Sequence, residues 1–111
     1  MKINTVVIGA GPGGYVAAIR LAQLGIETLV VEKEYFGGVC LNVGCIPSKA
    51  LIHAAKTYYK TINENSSMGI ITEGVSLDFP KVISWKDSVV KKLTTGIRGL
   101  LKGNKIQIND I

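Results

Sequence analysis

The sequence predicts an α/β fold in which helices flank a parallel sheet. Short β-branched runs at residues 5–8 and 28–31 are typical of buried parallel strands. Between them, residues 15–24 are rich in Ala, Leu and Ile at helical spacing, and Gly25 stands where a helix commonly ends. A strand, a helix and a second strand in this order form a βαβ unit with a right-handed crossover. At 111 residues, the chain fits one small domain.

A second helix is predicted after a glycine turn at residues 37–38. It spans about residues 46–62 and has Pro47 in its first turn, where the missing N–H costs no helical hydrogen bond. Residues 63–74 are polar and interrupted by glycine, which predicts a loop with a brief strand at 69–71.

A third helix and then a third strand are predicted in the remaining sequence. Asp78 is a suitable N-cap, and Pro80 falls in the first turn. Gly103 ends this helix, and residues 105–108 alternate between polar and apolar side chains as a strand does. Seven apolar residues are expected on one face of the helix: Val82, Val89, Val90, Leu93, Ile97, Leu100 and Leu101.

The excess of basic residues does not indicate a nucleic-acid site. The chain has 13 Lys and Arg and 8 Asp and Glu, for a net charge of +5. Four basic residues of the third predicted helix are spread along it without interleaved aromatic residues: Lys86, Lys91, Lys92 and Arg98. This spacing favours a solvated helix face. We therefore expect no nucleic-acid partner.

The N-terminal segment does not read as a signal peptide. The glycines of residues 9–14 and then Arg20 interrupt its apolar stretch, and no convincing small-residue cleavage site follows. No window holds 18 uncharged apolar residues, so we expect no membrane span. Two closely spaced cysteines in such a chain favour redox or metal chemistry over a structural crosslink. The expected location is cytoplasmic.

Residues 9–14, called the glycine loop below, follow the first strand and open the first helix. Gly9 allows the tight turn, Gly11 lets the backbone approach a diphosphate, and Gly14 lets the helix pack close to the strand. Glu32 lies 18 residues beyond Gly14 at the end of the second strand, where an acid accepts hydrogen bonds from an adenosine ribose. The sequence therefore predicts a dinucleotide site, but the glycine loop alone does not distinguish FAD from NAD.

Cys40 and Cys45 are the only cysteines of the chain. In a regular helix their Cα atoms would lie about 8.6 Å apart, whereas a disulfide needs roughly 7 Å or less. The segment must therefore bend, and Asn42 and Gly44 are the residues that permit the bend. We place Cys40 before the second helix and Cys45 at its N-terminal edge, where a thiolate is stabilised. Lys49, four residues further, adds a cation on the same face.

Three other roles for the cysteine pair compete with redox activity. A zinc site requires four ligands, and His53 is the one further soft ligand nearby. A structural disulfide would close a loop too short to add much stability. Two inert buried thiols would leave the flanking glycines and proline unexplained. Redox activity is favoured, and we interpret His53, Trp85, Tyr58 and Tyr59 as packing or surface residues of the helices.

The run from Gly37 to Lys49, taken with the glycine loop, resembles the FAD-dependent pyridine nucleotide–disulfide oxidoreductases. The motif Cys-Leu-Asn-Val-Gly-Cys-Ile-Pro-Ser-Lys is highly specific, and the similarity extends through the third predicted helix. The resemblance is closest to the members that oxidise dihydrolipoamide. Glutathione reductases usually have Val in place of Ile46 and Lys in place of Ser48, and mercuric reductases are the nearest alternative.

The resemblance implies a Rossmann-like FAD-binding fold and redox roles for three residues. Cys40 would exchange disulfides with the substrate, Cys45 would stack as a thiolate on the flavin, and Lys49 would approach flavin N5. Electrons would pass from dihydrolipoamide through the disulfide and FAD to NAD⁺. The implied partners are the lipoyl group of a 2-oxoacid dehydrogenase complex and a second copy of the enzyme in a homodimer.

The implied cofactor contacts lie in the glycine loop, at the end of the second strand and around the cysteines. They are Gly9, Gly11, Pro12, Gly13, Gly14, Glu32, Lys33, Gly38, Val39, Cys40, Gly44, Cys45 and Lys49. Val39 stands where many family members have Thr, which removes one hydroxyl from the flavin site.

By the same resemblance, residues 1–111 correspond to the N-terminal part of an FAD-binding domain. The NAD-binding domain and the C-terminal interface domain, which supplies a His–Glu acid–base pair, would lie outside the chain. We therefore expect the 111-residue chain alone to be inactive. The alternative is a stand-alone nucleotide-binding module with thiol-redox activity.

Overall fold

Strands at Thr5–Ile8 (β1), Thr28–Glu32 (β2) and Gln107–Asp110 (β3) form a parallel sheet with β2 in the centre. Ile8 pairs with Val31 and Glu32 pairs with Asp110, so the carboxyl ends of the strands share one edge. In open parallel sheets this edge is where ligands bind. The computed structural model, which describes residues 2–111, thus confirms the predicted α/β fold.

Four α-helices complete the described chain. They are α1 (Pro12–Gln23), α2 (Gly38–Val43), α3 (Cys45–Asn63) and α4 (Phe79–Gly103), and a 3₁₀ turn at Asn65–Met68 follows α3. The predicted helix at 46–62 is confirmed to within one residue, but the predicted strand at 69–71 is wrong, because that segment is irregular. The N-cap prediction is confirmed, since Asp78 Oδ1 accepts a hydrogen bond from the N–H of Lys81 at 3.1 Å.

Helix α1 begins three residues earlier than the periodicity predicts. Pro12 occupies its first position, where a fixed φ favours the helix. At the other end Gly25 has φ +80°, and the N–H of Ile26 donates to the carbonyl of Leu21 at 3.1 Å. This bond and the left-handed Gly25 are features of a Schellman motif, which confirms the predicted end of the helix.

Helix α4 ends in the same motif, but its left-handed position is taken by a lysine and not by a glycine. Lys105 takes the left-handed conformation, with φ +57°, and the N–H of Ile106 donates to the carbonyl of Leu101 at 3.0 Å. Because these two residues close the helix, they are not available to the sheet, and β3 begins at Gln107. The prediction of a strand at 105–108 is therefore wrong by two residues.

The hydrophobic core lies between the sheet, α1 and the last two turns of α4. Its buried residues are Ala10, Ala18, Val30, Phe36, Leu41, Ile97, Leu101 and Ile106. The Arg98 guanidinium lies over the Phe36 ring, 4.0 Å from its centroid, which adds a cation–π contact at the edge of this core.

The rest of α3 and α4 extends away from the sheet as a pair of packed helices. We call residues 51–93 the helical arm, and none of them is buried. The arm makes the molecule long, with extents of 64 × 26 × 18 Å. The predicted single apolar face of α4 is therefore only partly buried: Ile97 and Leu101 enter the core, whereas Leu100 is exposed.

Within residues 2–111, one helical stretch, Gly38–Asn63, is long and apolar enough to cross a membrane, with a mean hydropathy of 1.2. The stretch is two helices, because the backbone breaks at Gly44, and it carries Lys49. A broken helix and a cation are both costly in hydrocarbon. We therefore do not interpret residues 38–63 as a membrane span and describe them below with the two cysteines that they carry.

Candidate nucleotide and dithiol site

The glycine loop leaves β1 in a turn that requires glycine at two positions. Gly9 has φ +96°, and its N–H donates to the carbonyl of Val31 at 2.7 Å, which ties the loop to β2. A Cβ added to Gly14 would lie 1.9 Å from the carbonyl oxygen of Gly9. The geometry thus agrees with the predicted tight turn at Gly9 and close packing at Gly14. Around Gly13 no atom lies within 4 Å of such a Cβ.

The N-terminus of α1 carries a positive partial charge, and no side chain caps it. Its N-cap, Gly11, has no side chain, and no acidic residue stands in the first turn. Pro12 has no N–H, which leaves those of Gly13 and Gly14 at the helix start. Such an end favours a phosphate or another anion. This part of the site fits the diphosphate of a dinucleotide.

Glu32 joins the carboxyl end of β2 to the glycine loop. One carboxylate oxygen accepts the N–H of Ala10 at 2.7 Å, and the other accepts those of Lys33 and Glu34 at 2.8 Å each. The bond from Ala10 is the main cause that lowers the pKa of Glu32, and partial desolvation opposes it. Backbone hydrogen bonds from Glu34, Lys33 and Tyr35 also lower this pKa, so Glu32 stands as a carboxylate at the carboxyl end of β2.

Backbone contacts also connect the glycine loop to the segment that carries the cysteines. The N–H of Gly37 donates to the carbonyl of Ala10 at 2.7 Å. Gly38 has φ +64°, and a Cβ on it would lie 2.6 Å from Cα of Gly11. The two loops therefore touch backbone to backbone, and Gly38 is needed for this contact.

The sequence predicted the bend between the cysteines but missed helix α2. Cys40 lies within this six-residue helix, and Cys45 is the first residue of α3. The chain breaks at Gly44, where a Cβ would lie 2.9 Å from the carbonyl oxygen of Val39. The predicted placements of Cys40 before α3 and of Cys45 at its N-terminal edge are both confirmed, and Cys40 lies in a helix of its own. Six residues are too few to give a periodic signal.

The Cys45 thiol influences the pKa of the Cys40 thiol. Cys40 is half-buried and Cys45 is exposed, and both are free thiols. A hydrogen bond between their side chains is the main cause that raises the pKa of Cys40, and desolvation adds to it. The backbone N–H of Cys45 and the charge of Lys49 act in the opposite direction. The net effect favours the protonated form of Cys40.

Three further predicted site residues are exposed on the surface: Val39, Lys49 and Lys33. Lys49 is exposed one turn after Cys45, and Val39 is exposed beside Cys40. The side chain of Lys33 is also exposed, and its backbone N–H bonds Glu32. Val39 and Lys49 thus stand near the thiols, whereas Lys33 stands at the Glu32 end of the site.

His53 lies apart from the dithiol. Its ring centroid is 6.3 Å from that of Trp85, in a groove of about 500 Å³ between α3 and α4. Tyr58 lines the same groove, which agrees with the packing roles predicted for these side chains. Among residues 2–111, no three His, Cys, Asp or Glu side chains group together as a metal site.

Known proteins resemble this chain over almost its whole length. Residues 3–110 match the family described as pyridine nucleotide-disulphide oxidoreductase. A dihydrolipoyl dehydrogenase of Geobacillus stearothermophilus is 61% identical over 108 residues, and one of Pseudomonas aeruginosa is 49% identical over 110. The matches cover 97% of this chain but 23% and 24% of those relatives, so the chain spans about a quarter of their length.

A solved structure shares both the fold and part of the sequence. The HOCl-induced flavoprotein disulfide reductase RclA from Escherichia coli, solved as a Cu(II) complex, superposes with a TM-score of 0.75 and 29% identity. The superposition covers 96% of this chain and 21% of that one.

Proposed function

The chain belongs to the pyridine nucleotide-disulphide oxidoreductase family, and from this premise we propose that it is the FAD-binding, dithiol-bearing segment of a dihydrolipoyl dehydrogenase. The observation that carries the proposal is the contact at Gly38, where the backbones of the glycine loop and the cysteine segment touch. A dinucleotide held by the loop would therefore lie next to the two thiols. The identity to relatives with this activity favours it over the glutathione and mercuric reductases.

The residues of the site fit FAD. The N-terminus of α1 and the glycine loop would hold the diphosphate, Glu32 the ribose, and the cysteine segment the flavin. FAD, when bound, supplies the two-electron carrier between the dithiol and NAD⁺. The residues proposed to contact it are Gly9, Gly11, Pro12, Gly13, Gly14, Glu32, Lys33, Gly38, Val39, Cys40, Gly44, Cys45 and Lys49.

In its oxidised form, as a disulfide, the cysteine pair performs the exchange with the substrate. One thiolate of a dihydrolipoyl group attacks Sγ of Cys40 in the Cys40–Cys45 disulfide, which forms a mixed disulfide and releases Cys45 as a thiolate. The second substrate thiolate then attacks the substrate sulfur of the mixed disulfide and releases Cys40, which takes up a proton. The substrate leaves as a cyclic disulfide, and the protein has gained two electrons. The raised pKa of Cys40 suits a residue that ends this exchange protonated.

Several parts of the activity would require residues beyond these 111. We propose that the complete enzyme is a cytoplasmic homodimer with an NAD-binding domain and an interface domain that supplies an acid–base pair. Its substrate would be the lipoyl group of a 2-oxoacid dehydrogenase complex. Lys49 would place its charge near the thiols and the flavin, where it lowers the cost of the negative charges formed there.

Dihydrolipoamide-dependent reduction of NAD⁺ by the full-length gene product tests the proposed function. Wild type should turn over, and Cys40→Ser and Cys45→Ser should each abolish turnover while FAD remains bound. Met68→Ser removes an exposed sulfur on the 3₁₀ turn and should leave turnover unchanged. Turnover retained in both cysteine variants, or activity with glutathione disulfide and none with dihydrolipoamide, would contradict the proposal.

A further inference from the structure

Helix α2, which carries Cys40, is too short to be stable by itself. It has six residues, and no side chain caps its N-terminus. Its first-turn hydrogen bond, from the N–H of Leu41 to the carbonyl of Gly37, is long at 3.3 Å. Isolated helices need more than twice this length to form in water. Contacts outside the helical backbone must therefore hold α2 in place.

Two side chains of α2 supply such contacts: Leu41 is buried in the core, and Asn42 makes two hydrogen bonds. The amide nitrogen of Asn42 donates to the carbonyl oxygen of Gly38 at 2.9 Å and to that of Phe36 at 3.1 Å. The bond to Gly38 lies within α2, whereas the bond to Phe36 crosses the left-handed turn formed by Gly37 and Gly38. Asn42 thus fastens α2 to the turn that precedes it.

The same turn is attached to the nucleotide site. Gly37 bonds the carbonyl of Ala10, Gly38 packs on Gly11, and Phe36 is buried in the core. The turn is therefore fixed relative to the glycine loop. Because Asn42 is hydrogen-bonded to this turn, it also fixes α2 and Cys40 relative to the glycine loop.

We infer that Asn42 is a positioning residue for the dithiol: by tying α2 to the Phe36–Gly38 turn, it holds Cys40 against Cys45 and at a set place beside the glycine loop. The inference rests on the proposed function for the redox role of the pair. The hydrogen bonds of Asn42 do not depend on that role, and they act together with Leu41, which anchors α2 in the core.

Two substitutions separate the two bonds. Asn42→Asp keeps the shape of the side chain but turns an acceptor toward two carbonyl oxygens, so both bonds are lost. Asn42→Ser retains one donor that reaches the carbonyl four residues back, as Thr57 does to His53 at 2.8 Å in α3. The serine variant therefore keeps the bond within α2 and loses the bond to Phe36.

The matched control is Asn63→Asp at the end of α3. The amide of Asn63 donates to the carbonyl of Tyr59 at 3.0 Å, which is also a bond to the fourth residue back. It is an exposed bond on the helical arm, far from the thiols along the chain. This variant repeats the chemical change of Asn42→Asp without touching α2.

The experiment measures how fast iodoacetamide alkylates each cysteine in the reduced full-length gene product. Peptide mass spectrometry gives the ratio of Cys40 to Cys45 alkylation, below the unfolding temperature of every variant. Cys40 is half-buried, and release of α2 exposes it, so the ratio should rise. We expect roughly a five- to hundredfold rise in Asn42→Asp, which is the range that the net loss of two hydrogen bonds supports. The rise should be smaller in Asn42→Ser and absent in Asn63→Asp.

The inference is overturned if the folded Asn42→Asp and Asn42→Ser variants alkylate with the wild-type ratio, even when their thermal stability falls. An equal rise in Asn63→Asp would also overturn it, because the effect would then be general. If Asn42→Asp does not fold, Asn42→Ser decides. Neither NAD⁺ nor turnover enters the experiment, so failure of the proposed function would show in the turnover assay and leave the alkylation ratio readable.

Discussion

The sheet end of the molecule and the helical arm contain similar apolar side chains, yet only the sheet end buries them. The core residues all lie outside residues 51–93, whereas the arm exposes Tyr59, Ile62, Ile71 and Leu77. The glycine loop, Glu32 and the dithiol all belong to the sheet end. The site therefore stands on the part of the chain where burial and backbone contacts fix positions, and the arm contributes little to holding it.

The contrast is sharpest within α4. Leu101 is 0% exposed and Leu100 is 53% exposed, although the two are neighbours in sequence. Ile97, one turn before Leu101, is also buried. Helix α4 thus enters the core along a narrow stripe near its C-terminal end, and its remaining length belongs to the arm.

The largest effect is expected for Gly14→Ala at the sheet end. The added methyl would overlap the carbonyl of Gly9, and neither backbone can move without breaking the turn. We expect a loss of about 4 kcal/mol or more in the free energy of unfolding, which places it among the severe single substitutions. Urea unfolding measures this loss.

Gly13→Ala is the matched control for that substitution. Gly13 is helical and has open space around it, so alanine should be neutral or stabilising by up to about 1 kcal/mol. Equal stabilities of the two variants would show that the close approach of Gly14 to Gly9 is not what fixes the loop.

The next effect compares two leucines of α4. Leu101→Ala empties a fully buried position and should cost about 3 kcal/mol. Leu100→Ala removes an exposed side chain and should stay within about 0.5 kcal/mol. Thermal or urea unfolding of the pair measures the difference. If both substitutions cost the same, the division between core and arm is wrong along α4.

A smaller effect is expected for Glu32→Gln, and it should depend on pH. The native hydrogen bonds lower the pKa of Glu32, so their stabilisation is fully present above the ordinary carboxyl value of 4.5 and is lost as the pH falls through the lowered pKa. Wild type should exceed the variant by about 1 kcal/mol near neutral pH, and the gap should close in acid. Glu34→Gln, an exposed neighbour, serves as the control. A gap that stays constant down to acid pH would contradict this role of Glu32.

The smallest effect is expected on the helical arm. Ile71 is 82% exposed in the loop between the 3₁₀ turn and α4. Ile71→Ser should change the free energy of unfolding by less than about 0.5 kcal/mol. A loss comparable to that of Leu101→Ala, measured in the same way, would mean that the arm contributes to the core after all.

The sequence predicts the elements whose signals are local and periodic. The β-branched strands, helix α3 and the Asp78 cap all follow from short patterns, and the structure confirms them. The predicted start of β3 was wrong because Lys105 ends α4 in the left-handed conformation, which is usually taken by glycine. No local pattern distinguishes such a lysine from one that begins a strand.

The site shows the same limit. The spacing of Cys40 and Cys45 was enough to predict a bend, because a straight helix holds them too far apart for a disulfide. Helix α2 and the bonds of Asn42 were missed, since they depend on a turn that is placed by the distant glycine loop. The burial of Leu101 but not Leu100 likewise depends on where the sheet meets α4, which helical periodicity alone does not give.

The most direct test of the central claim, that the glycine loop and the dithiol form one flavin site, is an anaerobic visible spectrum of the full-length gene product. It is recorded before and after two-electron reduction by dihydrolipoamide. We predict bound flavin and a new long-wavelength absorbance on reduction, which Cys45→Ser abolishes because a thiolate must lie against the flavin. Bound flavin without that absorbance in the reduced wild type would contradict the claim, since the dithiol would then stand away from the nucleotide that the glycine loop holds.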